Sequence, residues 1–255
     1  MDRIYRIEQG GGPLYALGND EGDGWHRLEG DPFGSYHAGA PIDPAGVRVL
    51  PPVTPSKIVA VGLNYRDHAL EMNKSLPDEP LIFLKPSTSI IGHGDTIVMP
   101  TRSDRVDYEA ELGLVIRKRT RAVSTEAAAD HILGLTCVND VTARDLQKLD
   151  VQFTRAKGFD TFAPVGPCVV VGLAADALDV ESWVNGERRQ ASNTRELIFG
   201  VGQLVEFISS VMTLLPGDII ATGTPSGVGP LAPGDRVVVK VEGVGELENT
   251  VVAGS

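Results

Sequence analysis

The feature that most restricts this chain is a series of short, β-branched runs broken by Gly, Pro and Asp. From Lys57 onward they read KIVAVGLN, PLIFLK, DTIVMP, YEAELGLVI, ILGLTCVN, PCVVVG, DIIATG, RVVVKVEG and ELENTVV. Runs of this length and composition are strands, and so many short strands need sheets that face each other or curl. Helical patterns are few and do not alternate with the strands, which disfavours a doubly wound parallel sheet. The expected fold is α+β and β-dominated, built from curled, largely antiparallel sheet. The chain has 29 Gly and 17 Pro among its 255 residues, which supply the turns. Pro-Gly-Asp occurs at 216–218 and at 233–235, each time leading into a β-branched run, and Asn185-Gly186 between SWV and ERRQ is a type I′ hairpin signal. A helix is predicted over 194–212, with apolar residues at 197, 198, 201, 204, 205 and 208 and Asn193 or Thr194 as N-cap. A shorter helix is predicted over 124–132, and a third starts near Asp140.

Residues 1–55 differ in character. They carry the turn signals GGGP, NDEGDG and GDPFG, end in the Pro cluster PPVTP, and offer only short candidate strands at 4–7 and 14–17. A small N-terminal β-rich segment packed on a larger domain over 56–255 is the expected organisation. A chain of this length buries a full core without disulfides or a structural metal, so a metal would serve chemistry. The formal net charge of −11 argues against nucleic acid and anionic membranes as partners. Cys137 and Cys168 lie in the apolar runs LTCVN and GPCVVVG without a C-x-x-C partner, which fits buried thiols in a reducing compartment. The N-terminal MDRIYRIEQGGG has charges where a signal peptide needs an apolar stretch, and no run approaches about 18 apolar residues. A soluble, cytoplasmic protein is expected.

Chemistry concentrates in a few places. In YEAELGLVI, strand alternation points Tyr108, Ala110, Leu112, Leu114 and Ile116 to the core and Glu109 and Glu111 together to the other side. Two adjacent carboxylates repel unless a hard divalent cation lies between them, the plain alternative being a solvated strand face. Asp140 follows an apolar strand and is either a further ligand or a helix N-cap. His68 and Glu71 are spaced i, i+3 and share a face if helical, where a carboxylate orients an imidazole as a general base or both simply face solvent. Lys85 ends an apolar run before Pro-Ser-Thr and either reaches a site or snorkels to the surface, and Lys157 is a second cationic candidate. The loop ATGTPSGVG, with Gly223 and Thr224, allows close backbone approach to a ligand. It is no P-loop, and Pro230 and Pro233 stand where a dinucleotide motif needs a helix, so no nucleotide cofactor is expected.

In series, GLNYRDHALEMN, PLIFLKPSTSIIG, DYEAELGLVI, NDVTARDLQ, RAKGFDTFAPVGP, VNGERRQASNT and GDIIATGTPSGVGPLAPGD resemble the fumarylacetoacetate hydrolase family, in particular its shorter acylpyruvase-like members. The resemblance runs from about Lys57 to Val251. It implies a β-roll of mixed sheets, assembled as a homodimer. It also implies Glu109, Glu111 and Asp140 as ligands of Mg²⁺ or Mn²⁺, and His68 and Glu71 as a catalytic dyad on a lid. Lys157 would stand beside the metal, while Lys85, Gln147 and Thr224, with Gly223 in the same loop, would hold a small 2-keto acid. The implied reaction is hydrolysis of a C–C bond in an acylpyruvate, a 2,4-diketo acid: His68, polarised by Glu71, takes a proton from water that attacks the distal carbonyl, and pyruvate enolate leaves. Isomerisation of a 2-hydroxyhepta-2,4-diene-1,7-dioate and decarboxylation of oxaloacetate are alternatives on the same site. An inactive metal-binding scaffold would have lost a ligand or the dyad, and none is lost here. The acyl specificity is expected in residues 72–78 and in side chains not contiguous in sequence, and Arg144 is a further cation near the site.

Overall fold

The computed structural model of the chain describes residues 1–18, 24–43 and 45–254, so most of the NDEGDG turn lies outside the described residues. None of its helices is long and apolar enough to cross a membrane. The described residues form sheets of twelve, five and three strands with a few short helices, the β-dominated fold that the runs predict. At the centre is the strand Ala110–Ile116, every residue of which is buried. It pairs antiparallel with Ile132–Asn139 on one side and Ile219–Ala221 on the other. Lys57–Gly62 then runs parallel to Ile219–Ala221, and Leu81–Pro86 closes that edge. Strand alternation gives the central strand two cores. Ala110, Leu112, Leu114 and Ile116 pack with Val180, Val239 and Leu247 of the five-stranded sheet, while Val115 faces Ile58, Ala60 and Val138.

The structure departs from the expected single strand over 108–116. Val106–Tyr108 belongs to the three-stranded sheet and Ala110–Ile116 to the large one, with Glu109 at the break. The cause is local: the Glu109 N–H donates to Asn139 Oδ1 at 3.0 Å instead of to a ladder carbonyl. Tyr108 therefore packs in a separate cluster with Val106, Val141 and Phe162. The predicted helix over 194–212 is also shorter, a 3₁₀ turn Thr194–Glu196 followed by the helix Val201–Val211. Between them the Ile198 and Phe199 N–H groups donate to the backbone and side-chain oxygens of Asn64, which holds 197–199 out of the helix. Asn193 does cap, accepting from the Arg195 N–H. The expected helix over 124–132 is only the 3₁₀ turn Ala128–His131. The third is Arg144–Leu149 with Ala143 at its N-cap, so Asp140 caps nothing.

The N-terminal region holds five strands, Arg3–Gln9, Gly12–Gly18, Trp25–Gly30, Tyr36–Ile42 and Arg48–Leu50, and a small cluster of Ile7, Ala16 and Ile42. Its first strand joins the large sheet through Arg3↔Val170 and Ile4↔Val169, and the Arg3 guanidinium donates to the carbonyls of Val244 and Gly243. Cys137 and Cys168 are buried and unbridged, and burial pushes the Cys137 thiol pKa up, so it is a poor nucleophile.

The two Pro-Gly-Asp turns share one construction. In each, Gly at positive φ (Gly217 +84°, Gly234 +95°) lets the Asp N–H return to the carbonyl three residues earlier, at 3.0 Å in both. The Asp carboxylate accepts that same residue's N–H, Leu215 at 2.8 Å and Ala232 at 2.7 Å. Asp218 does more, accepting from the Ser56 N–H and hydroxyl, the Lys57 N–H and the Lys57 ammonium. It thereby fixes the register of the parallel pair Ile219–Ala221 and Lys57–Gly62, which no hairpin connects. We expect Asp218→Ala to lose about 3 kcal/mol of stability in urea unfolding, because buried N–H groups lose their acceptor. Asp218→Asn, which keeps an acceptor oxygen, should lose about a third of that.

Candidate active site

Antiparallel pairing brings three acidic residues to one place. Ala110 pairs with Asn139, so Glu109 and Glu111, flanking the start of one strand, meet Asp140 just past the end of its neighbour. The Asp140 N–H donates to the Glu109 carbonyl at 2.9 Å and closes this corner. One carboxylate oxygen from each of Glu109, Glu111 and Asp140 lies within 4.8 Å of the others, and all three residues are buried. The solvated-face reading of the two glutamates is thus excluded. Each pair of like charges at that separation costs about 3 kcal/mol or more at an effective dielectric near 20.

Cations from three other elements offset part of the cost. The Lys157 ammonium donates to Glu109 Oε2 at 2.8 Å and to Asp140 Oδ2 at 2.5 Å. Lys85 donates to Asp140 Oδ1 at 2.5 Å and to the Val141 carbonyl at 3.1 Å. Arg144 bonds Glu109 Oε1, and also Asp107 Oδ2 at 2.8 Å and Gln147 Oε1 at 2.6 Å. Burial opposes ionisation of Glu109, but Lys157 and Arg144 outweigh it and hold its pKa down to about 2. Glu111 is different. No ion pair reaches it among the described residues; burial, then Asp140 and Glu109, push its pKa well above the usual range, and the Gly223 N–H at 2.8 Å is its hydrogen-bond donor. Three hard oxygen donors, one of them short of positive charge, fit a divalent cation of the Mg²⁺ or Mn²⁺ kind, which Glu109, Glu111 and Asp140 would hold.

The triad opens into a pocket of about 280 Å³ that also contains His68, Arg144, Gln147, Lys157 and Thr224. His68 and Glu71 lie on the helix Arg66–Glu71, and Nδ1 of His68 is 3.0 Å from Glu71 Oε2. An ionised carboxylate only accepts, so Nδ1 carries the hydrogen and Nε2 is the basic nitrogen. Glu71 is held in turn by the Gly227 N–H at 3.2 Å. The ATGTPSGVG loop therefore fastens the carboxylate triad through Gly223 and the His–Glu pair through Gly227. Gly223 has φ +102°, and a Cβ there would lie 2.7 Å from the Asn64 Cβ. Its glycine serves that packing and the aim of its N–H, where the sequence suggested approach to a ligand.

Two other expectations change. Lys85 is fully buried with its ammonium on Asp140 and is not among the residues lining the pocket, so it reaches the site as a partner of Asp140 and is not a snorkelling surface lysine. Thr224 lines the pocket, but its hydroxyl hydrogen goes to the Ala110 carbonyl at 2.9 Å and its oxygen accepts from Gln190 Nε2 at 2.9 Å. Gln147 lines the pocket as expected. Met72, in the segment expected to set specificity, lines the pocket, but sequence reading missed Asp107, Asn64, Gln190 and the apolar walls Leu81, Phe83 and Phe153. Asp107 had a signal, since Asp107, Glu109 and Glu111 form one i, i+2, i+4 series. Gln190, in the polar hairpin ERRQ, had none; its amide bonds the Ala110 N–H, Thr224 and the Pro225 carbonyl. We expect Gly223→Ala to weaken divalent-cation affinity by about 10- to 100-fold in calorimetry, the usual loss when a group orienting a ligand is displaced, with an unchanged far-UV spectrum.

The family description Fumarylacetoacetate (FAA) hydrolase C-terminal matches residues 57–252. A Bacillus subtilis protein named oxaloacetate tautomerase is 40% identical over 242 residues, 89% of this chain and 79% of that one. The crystal structure of a 2-hydroxyhepta-2,4-diene-1,7-dioate isomerase from Mycobacterium marinum matches at TM-score 0.93 and 43% identity, covering 100% of both chains. A 5-carboxymethyl-2-hydroxymuconate delta-isomerase from Mycobacterium smegmatis matches at 0.92 and 44%, covering 99% of this chain and 100% of that one. The structural likeness thus extends through the N-terminal region that the family match leaves out. This chain belongs to the fumarylacetoacetate hydrolase family.

Proposed function

We propose that this protein is a divalent-metal-dependent enzyme that moves protons on the enolic form of 2-keto acids, as a tautomerase or isomerase. The observation that carries the reading is the convergence, on one pocket, of a three-carboxylate cluster and an imidazole whose tautomer is set by Glu71. A divalent cation, when bound, supplies a Lewis acid that favours the enolate form of a 2-keto acid. The protein's part is to place and move the proton. His68 Nε2 takes a proton from the carbon beside the keto group and delivers it to the substrate's enolate oxygen, giving the enol, or in an isomerisation to a carbon farther along the conjugated chain, while Glu71 keeps the imidazole oriented and stabilises its protonated form. Lys157 helps keep Glu109 ionised and pairs with Asp140, and the apolar walls Leu81, Phe83 and Phe153 limit water around the reacting carbon.

Hydrolysis of an acylpyruvate, which the sequence placed first, is the second reading. The same His68 nitrogen can take its proton from water, and the intact His68–Glu71 pair suits that step as well. The named relatives act as tautomerase and isomerases, and this moves proton transfer ahead of hydrolysis. Dimeric assembly stays with the proposal, as the family's implied state.

Enol and keto oxaloacetate, acetylpyruvate and a 2-hydroxydienedioate assayed with Mg²⁺ and with chelator separate these reactions. We expect metal-dependent equilibration of the enol and keto forms to be the fastest; metal-dependent release of acetate and pyruvate at a higher rate would put hydrolysis first. Lack of metal-dependent turnover of all three would overturn the proposal. His68→Ala should lower kcat by about 10²–10⁴-fold, with metal affinity within twofold of the native protein, and unchanged turnover would remove His68 from the reaction.

A further inference from the structure

The pocket's cations fall into two groups. Lys157 and Arg144, beside the carboxylate triad, are committed to Glu109, Asp140 and Asp107. Lys74 and Lys148 also line the pocket but are exposed, and no ion pair or hydrogen bond reaches either ammonium among the described residues. They stand on two different elements. Lys148 follows Gln147 on the helix Arg144–Leu149, and Lys74 lies just past the helix Arg66–Glu71, its N–H donating to the Ala69 carbonyl at 3.0 Å. The same pocket is also lined by Met72, Leu81, Phe83 and Phe153, which offer no anion to neutralise two lysines. In a chain of net charge −11, an exposed, uncommitted pair of cations lining a pocket favours an incoming anion there.

Resting on the reading of the site as a 2-keto-acid pocket, we propose that Lys74 and Lys148 receive the distal carboxylate of a dicarboxylic substrate and set the preference for it over a neutral-tailed 2-keto acid. The 2-keto-acid end lies toward the triad, and the chain of the substrate runs along the apolar wall to the two ammonium groups. Because Lys74 is tied to the end of the helix that carries His68, a distal carboxylate bound there also holds that helix against the pocket. A neutral tail reaches neither lysine and leaves the helix unheld.

The test is calorimetric titration of the Mg²⁺-loaded protein with 2-oxoglutarate, a five-carbon diacid, and with 2-oxopentanoate, its neutral-tailed counterpart. The native protein should prefer the diacid by about tenfold or more, the scale of one charge-assisted hydrogen bond. In the Lys74→Gln/Lys148→Gln double variant the two should bind within about twofold of each other, whereas Lys74→Arg/Lys148→Arg should retain the preference. Equal binding to the native protein, or a preference that survives the Gln variant, overturns the proposal. A lysine-dependent preference in a protein that turns over no 2-keto acid leaves the selectivity standing and defeats the reaction reading. Binding of neither acid defeats both.

Discussion

Three carboxylates share a few ångströms of buried space, and much of the surrounding architecture manages the repulsion that follows. Lys85 stands behind Asp140, Lys157 bridges Asp140 and Glu109, and Arg144 spans Glu109 and Asp107. These cations come from the Leu81–Pro86 strand and from the Thr154–Lys157 and Arg144–Leu149 helices, so the charges of the site also knit together distant segments. Glu111 is the exception. It is buried, faces the other two carboxylates and has a backbone N–H where its neighbours have ammonium or guanidinium groups. That asymmetry fits a site that a bound cation would complete.

The ATGTPSGVG loop couples this cluster to the chemistry beside it. Through Gly223 it sets the aim of Glu111, and through Gly227 it supports Glu71, which in turn orients His68. Asn64 braces the same loop, its amide donating to the Thr222 carbonyl at 2.7 Å and its oxygen accepting from Phe199 N–H. The carboxylate cluster and the His68–Glu71 pair are therefore held by a single piece of backbone, whose parent strand is kept in register by Asp218.

Strand content and the central position of YEAELGLVI were legible because β-branched runs and alternating burial leave a period-two trace in sequence. Glu109 and Glu111 could be placed on one face by that period, but their burial could not, since it depends on Asn139, Gln190 and Gly223 arriving from elsewhere. The resemblance to a family supplied what spacing left open at Asp140 and His68. The break at Glu109 and the interruption of the 194–212 helix were invisible for a related reason: side-chain amides of Asn139 and Asn64 capture backbone N–H groups across long sequence separations. The fate of Lys85 stayed open because its partner, Asp140, lies 55 residues away in the chain, and an isolated lysine after an apolar run looks the same whether it reaches solvent or a buried carboxylate.

The most direct test of the account is thermal unfolding of the native protein and of Glu111→Gln, each in chelator and in saturating Mg²⁺ or Mn²⁺. If the triad is a repulsive cluster that a cation completes, the variant unfolds in chelator at or above the native temperature, because a buried charge has been removed without loss of shape. The rise that the metal gives the native protein, about 2–4 °C per kcal/mol of binding free energy for a chain of this size, should then be absent from the variant. A variant that is less stable in chelator and still gains the full rise with metal would contradict the account.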